Sequence, residues 1–264
     1  MKKNGQNLLA ALVLLFSSFG YIISCTHENM PPPASNGTPV IERGTDVLLP
    51  GSMTAGDTTQ WKFDQAHSSV LWSTNYVGAA GLLTGRFNDF GMHDVTDDKS
   101  KKYSTTGQPL LDSSWAFYEN EPAKCYFNGY VQVNTTNTGE PGRDTGCAIS
   151  SLGTVKVVAG VQNLEINNLA KIKTTNVTFD TQTSGYIVTM DMTWQGLLAQ
   201  PLTKTITGTL SYIRKNYVNP GTPSAYGVFG LQLTFQFNCR DFGITSTNIS
   251  DNITIQCNMN FNNK

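Results

Sequence analysis

The sequence predicts an all-β domain of antiparallel strands, and three observations carry that reading. Beyond residue 60 apolar and polar residues alternate with period two. Turn-forming clusters separate the alternating runs. No long helical stripe, internal repeat or succession of strands and helices competes with them. A barrel and a sandwich both satisfy this pattern.

Taken in order, the first strands are expected over residues 61–63, 69–76 and 82–90, followed by 124–134 and 171–178. Tyr186, Val188, Met190, Met192 and Trp194 then make an alternating set, and residues 205–213 form the next strand. Leu231, Leu233, Phe235 and Phe237 alternate with Gln232, Thr234, Gln236 and Asn238. The last run is the clearest: Ile253, Ile255, Cys257, Met259 and Phe261 alternate with Thr254, Gln256, Asn258 and Asn260. A one-residue slip would turn each apolar face to water, so these registers are firmly set. Thr138-Gly139-Glu140-Pro141-Gly142, Thr183-Ser184-Gly185, Asn219-Pro220-Gly221 and Ser250-Asp251-Asn252 supply turns. Helix is confined to one or two short turns, at residues 115–119 or 158–163.

Residues 1–24 stand apart. Lys2 and Lys3 precede an apolar run over residues 8–23, which reads as a signal-peptide core rather than a spanning helix. It ends in Ile22-Ile23-Ser24-Cys25, which resembles the lipobox of bacterial lipoproteins. That resemblance implies lipidation of Cys25 and a membrane anchor, with about 0.8 kcal/mol for each buried CH₂. Residues 25–57 are rich in Pro, Gly, Ser and Thr and are expected to be a flexible tether. Residues 58–264 remain for one β domain with a real core. Loss of Lys2 and Lys3 makes the formal net charge of −1 more negative, which argues against nucleic acid.

Of five cysteines, four remain for the domain: Cys125, Cys147, Cys239 and Cys257. An oxidising compartment permits two disulfides among them, in any of three pairings. No two stand at metal-ligand spacing and only three histidines exist, so no metal is expected. No other cofactor is indicated.

Trp72, Tyr76, Phe87, Phe127, Trp194, Phe235 and Phe237 are spread over several strands. They either fill an ordinary core or line a ligand cavity, since an eight-stranded barrel is wide enough for side chains or one small ligand. Arg143-Asp144 and Arg240-Asp241 are the most chemical-looking pairs. An arginine at a cavity mouth could grip a phosphate or a quinone oxygen, and Arg143 is the candidate for that role. The competing reading has each pair pinning a loop. His67 and His93-Asp94 suggest acid–base chemistry, yet no nucleophile elbow or phosphate loop accompanies them. Binding, not catalysis, is the expectation.

Several segments together resemble the YceI-like, polyisoprenoid-binding family. The opening strand Trp61-Lys62-Phe63-Asp64-Gln65-Ala66-His67-Ser68-Ser69-Val70 is followed by Leu83-Thr84-Gly85-Arg86-Phe87. Thr135-Thr136-Asn137-Thr138-Gly139 with Arg143-Asp144 is similar to that family's "SxxTG" turn and Arg-Asp pair. Met192-Thr193-Trp194-Gln195-Gly196 with Leu202-Thr203-Lys204 is similar to its "LTxxG…xxK" segment. Asn238-Cys239-Arg240-Asp241-Phe242-Gly243-Ile244 and residues 249–255 resemble its closing motifs. The resemblance implies a single eight-stranded lipocalin-like barrel whose apolar cavity holds an isoprenoid chain, of a polyprenyl or quinone type. Thr145-Gly146-Cys147 departs from the family's His-Leu, Thr135 replaces a serine, and residues 91–122 find no counterpart.

The resulting expectation is a lipid-anchored envelope protein, facing the periplasm or on the outer membrane, that binds an isoprenoid-type lipid. The rivals are an interaction protein with a filled barrel and, more weakly, a redox protein using its cysteines. Thr26 after Cys25 tilts towards the outer membrane, and whether the domain forms a homodimer is left open.

Overall fold

Alternation in the chain becomes alternation across one sheet. The computed structural model describes residues 62–78, 80–92, 115–119, 121–146, 148, 152–153, 168–218 and 226–262. The signal segment, Cys25, the tether, His93-Asp94, Cys147, the turn at residues 219–221 and the helix candidate at 158–163 lie outside them.

The strands are β1 (Lys62–Phe63), β2 (Ser69–Asn75), β3 (Leu82–Phe87), β4 (Phe90–Gly91), β5 (Trp115–Ala116) and β6 (Tyr126–Gln132). They continue with β7 (Thr136–Asn137), β8 (Leu169–Asp180), β9 (Gly185–Trp194), β10 (Leu202–Val218), β11 (Tyr226–Asn238) and β12 (Asn252–Asn262). A short helix, α1 (Pro141–Thr145), starts where the Glu140 carboxylate accepts from the backbone N–H groups of Gly142 and Arg143. Among the described residues, eight strands are long and four are two-residue pieces. The segment 115–119, a helix candidate by sequence, opens instead as β5 and pairs with Tyr126 and Phe127. Trp115, Ala116 and Phe117 are all buried, so no exposed helical face exists there.

All pairings are antiparallel, in the order β4-β6-β8-β9-β10-β11-β12-β2-β3-β7. The two edges of this order are joined by the chain itself. β3 sits near one edge and runs into β4 at the other; β6 runs into β7 in the opposite sense. Where they cross, Asn88 N–H donates to Thr135 O, and Gln132 N–H donates to Asp89 O. Thr135 Oγ1 accepts from Asp89 N–H at 2.9 Å and donates to Gln132 O at 2.7 Å. The hydroxyl that replaces the family's serine therefore stitches the crossing.

Register shows how the sheet curls. Direct partners lead from Phe87 through Val70, Cys257, Leu233, Leu210 and Tyr186 to Phe179. Phe179 lies near the far end of β8, whereas the crossing holds Asn88 and Asp89 beside Gln132, whose β8 partner is Leu169. The circuit returns displaced along the strand. That stagger is what a tilted, lipocalin-like barrel demands.

The sequence permits two disulfides among its four domain cysteines; among the described residues Cys125, Cys239 and Cys257 are buried free thiols. Leu233 pairs with Cys257 and Asn238 with Asn252, about 17 Å further along the strand, and Cys239 lies one residue beyond Asn238. A bridge tolerates less than about 7 Å between α-carbons.

Candidate functional site

Residues of seven of the eight long strands, all but β10, line an apolar cavity of about 80 Å³. Val70, Phe87, Leu233, Phe235, Ile255 and Met259 contribute from β2, β3, β11 and β12. Phe127, Ile172, Met192 and Trp194 contribute from β6, β8 and β9. Among the described residues that line it, none carries a charge. Asn128 and Tyr130 are its most polar members, and Tyr130 turns its hydroxyl to Asp89 at 3.3 Å. Cys257 also lines it, and burial pushes its thiol up to about 12, so the sulfur is a neutral wall atom.

Aromatic clusters close in from both sides. Trp194, Phe237 and Phe242 pack edge-on and tilted, with centroids 5.2–6.0 Å apart. Further along the barrel, Phe229 stacks on Phe261 at 4.6 Å, and Trp115 leans on Phe261 at 4.5 Å. Phe117 fills the space between Tyr186 and Tyr212.

The residues singled out by sequence divide. Phe87, Phe127, Trp194, Phe235 and Phe237 line the cavity. Trp72 is buried without lining it: its indole N–H donates to Thr136 Oγ1 at 2.7 Å, across Gly85. Tyr76 is half-buried and makes a β-bridge with Ile249, away from the cavity wall. Arg143 is exposed on α1 and lines no part of the cavity, a correction to its expected role. Its neighbour does the pinning: Asp144 accepts from Thr138 N–H at 2.6 Å and from the Thr138 hydroxyl at 2.8 Å.

Arg240 behaves in the same structural manner. Its guanidinium donates to Asp251 and to the carbonyls of Ile244, Ser246 and Ile249, all within 2.9 Å. Asp241 pairs with Lys204 at 3.2 Å. His67 is 78 % exposed, with its ring on Asp64, and does not line the cavity. Cys125 exchanges hydrogen bonds with the Tyr118 backbone, and burial pushes its thiol up to about 11. These groups hold loops.

Sequence reasoning passed over Val70, Met192, Leu233, Ile255, Cys257 and Met259 as wall residues. Their signal was present, since all occupy the inward parity of their strands.

A family model for the YceI-like domain matches residues 61–261. The chain belongs to the YceI-like family. Its motifs now have physical meanings. In the YceI-like Gly-Arg-Phe segment, Gly85 leaves room for the Trp72 indole while Phe87 enters the cavity. In the Asp-Phe-Gly-Ile segment, Gly243 adopts φ +78° and Phe242 is fully buried. Gly196 docks on the same turn at φ +56°, where a β-carbon would lie 2.3 Å from Phe242 O.

Solved structures of similar proteins include Burkholderia cenocepacia BcnA, at 15 % identity and TM-score 0.42, with 75 % of this chain and 99 % of that one covered. A polyisoprenoid-binding domain from Saccharophagus degradans, implicated in plant cell wall breakdown, is 12 % identical with TM-score 0.41, covering 76 % and 97 %. The Campylobacter jejuni YceI protein is 15 % identical with TM-score 0.45, covering 72 % and 90 %. A search of curated protein sequences found no significant match.

Proposed function

We propose that this YceI-like barrel binds an isoprenoid-type lipid, polyprenyl or quinone-like, and that lipidated Cys25 tethers it to a membrane of the cell envelope. The observation that carries the binding reading is the cavity wall, apolar from strand to strand and without a charged side chain among its described residues. Each methylene buried against such a wall contributes about 0.8 kcal/mol, so chain contact alone supplies affinity before ordering costs are deducted. A tether keeps the barrel near the bilayer where such lipids dissolve, which raises the effective concentration of encounter.

Size imposes a condition. A void of about 150 Å³ holds one benzene ring, and this cavity is about 80 Å³. Uptake of a long chain therefore requires the wall to repack. Met92, Met192 and Met259 line it, and unbranched thioether side chains adapt their shape at low cost.

The small volume also favours a second reading, a ligand-free interaction protein whose barrel its own side chains fill. Thermal unfolding separates the two. A ligand that binds only the folded state raises Tm progressively with concentration. A prenyl lipid that leaves Tm unchanged at every concentration supports the filled barrel. For the anchor, Cys25→Ser is expected to shift the protein out of the membrane fraction, and unchanged fractionation contradicts lipidation at that site.

A further inference from the structure

We infer that the barrel end formed by the β2–β3 turn and the β9–β10 turn docks on a lipid bilayer. This rests on the membrane-anchor reading and adds which part of the barrel meets the membrane. Five large apolar side chains are exposed among the described residues, and three of them stand in or beside these two turns. Val77 is 62 % exposed, Leu82 54 % and Leu197 57 %.

Both turns rest on one support, the loop between β11 and β12. Val77 N–H donates to Asn248 O at 3.0 Å, and Ser250 N–H donates to Asn75 O at 2.9 Å. Leu197 N–H donates to Phe242 O at 3.0 Å. Arg240 fastens that loop through Asp251 and three backbone carbonyls. The exposed apolar side chains are thus carried on a fixed platform. Beside it Trp194 and Phe237 meet with ring centroids 6.0 Å apart, and both line the cavity. Docking turns that end of the cavity towards the bilayer.

Charge selects the partner. Tyr76-Val77-Gly78-Ala79-Ala80-Gly81 and Gln195-Gly196-Leu197-Leu198-Ala199-Gln200-Pro201 contain no charged residue. In the supporting loop Arg240 pairs with Asp251, and Asp241 pairs with Lys204. Such a tip enters the boundary between head groups and acyl chains without stripping water from an unpaired charge. Reach permits the contact. The tether joins the fold at Lys62, which pairs with Asn262 at the opposite end of β12. That strand is about 35 Å long, whereas the residues from Cys25 to Lys62 can span up to about 120 Å. The anchor and the far end of the barrel can therefore share one bilayer.

The test uses the lipidated protein reconstituted into phosphatidylcholine vesicles whose acyl chains carry bromine near the head group. Leu82→Trp and Leu197→Trp each place a quenchable reporter at the tip, on separate turns, so the reading survives poor folding of either variant. Ile213→Trp is the control: Ile213 is 59 % exposed, but its partner Gly230 pairs with Asn260, towards the opposite end of the barrel. The signal is the emission added to that of the unmodified protein. Interfacial side chains sit about 5–10 Å into the head-group boundary, so the tip reporters are expected to lose about half their added emission and the control almost none. Adding Val77→Asp to Leu82→Trp is expected to restore the emission. Flotation with the vesicles but no quenching at either tip position overturns the inference and leaves the anchor standing. Equal quenching of the Ile213→Trp control overturns it too. Blue-shifted but unquenched tip reporters mean that protein covers the tip, a second copy included, and also overturn it. Protein that does not float overturns the anchor reading, and the inference falls with it.

Discussion

The indole of Trp72 lies across Gly85, its direct partner on the neighbouring strand, so closely that a β-carbon at Gly85 would sit 2.7 Å from the ring. The arrangement turns an aromatic side chain and a glycine into one packing unit. It also aims the indole N–H at Thr136, beside the crossing of the chain. Gly85→Ala is expected to cost about 1–3 kcal/mol through overpacking, read as a lower urea midpoint at unchanged slope. A neutral Gly85→Ala would mean that Trp72 has another place to go.

Arg240 should matter for folding rather than for the ligand. Its four hydrogen bonds hold the loop between β11 and β12, and three of them go to backbone carbonyls. Arg240→Ala is expected to destabilise the domain by about 2–3 kcal/mol. Arg240→Lys should recover only part, because an ammonium cannot reproduce the planar fork. Urea titration measures both. Lipid affinity, corrected for the folded fraction, should not move.

How much of this was legible beforehand depends on what each feature requires. The registers of β9, β11 and β12 follow from alternation alone, because one face of each strand is buried. Trp115-Ala116-Phe117 carries no alternation, being apolar throughout, so its strand character depends on pairing with Tyr126 and Phe127. Arg143-Asp144 and Arg240-Asp241 look alike in sequence. Only the fold reveals that Asp144 is the active partner in one pair and Arg240 in the other. Aromatic residues were selected as wall candidates, yet Met192, Met259 and Cys257 share that wall because parity, not ring chemistry, decides what points inward. The cavity's volume depends on side-chain packing across strands distant in sequence, which no local pattern encodes.

Alkaline pH should weaken the fold through the buried thiols. Burial raises Cys257 to about 12 and Cys125 to about 11, from an ordinary value of 9.0. Below 9 both thiols are protonated in the folded and unfolded states, and nothing is lost. As pH rises from 9 towards 12 the unfolded chain releases protons that the folded one retains, so stability falls. Urea midpoints across that range should decline, and Cys257→Val should make the decline shallower. The same thiols are expected to resist a thiol reagent at neutral pH until denaturant is added.

The wall can be closed deliberately. Ala170 lines the cavity and is only partly buried, which leaves its neighbours room to adjust. Ala170→Phe is expected to remove most lipid uptake for a stability change of about 1–3 kcal/mol or less. Titration with a prenyl lipid, next to a thermal melt of the same variant, reads both quantities. Full uptake by a well-folded variant would place the ligand elsewhere on the protein.

Native mass spectrometry combined with organic extraction tests lipid binding in the barrel most directly, using protein purified from a bacterial host without detergent. The expected result is a co-purifying isoprenoid near one-to-one stoichiometry, absent from the Ala170→Phe variant. A clean ligand-free mass that remains unchanged after incubation with polyprenyl and quinone lipids would contradict it, leaving a barrel filled by its own side chains.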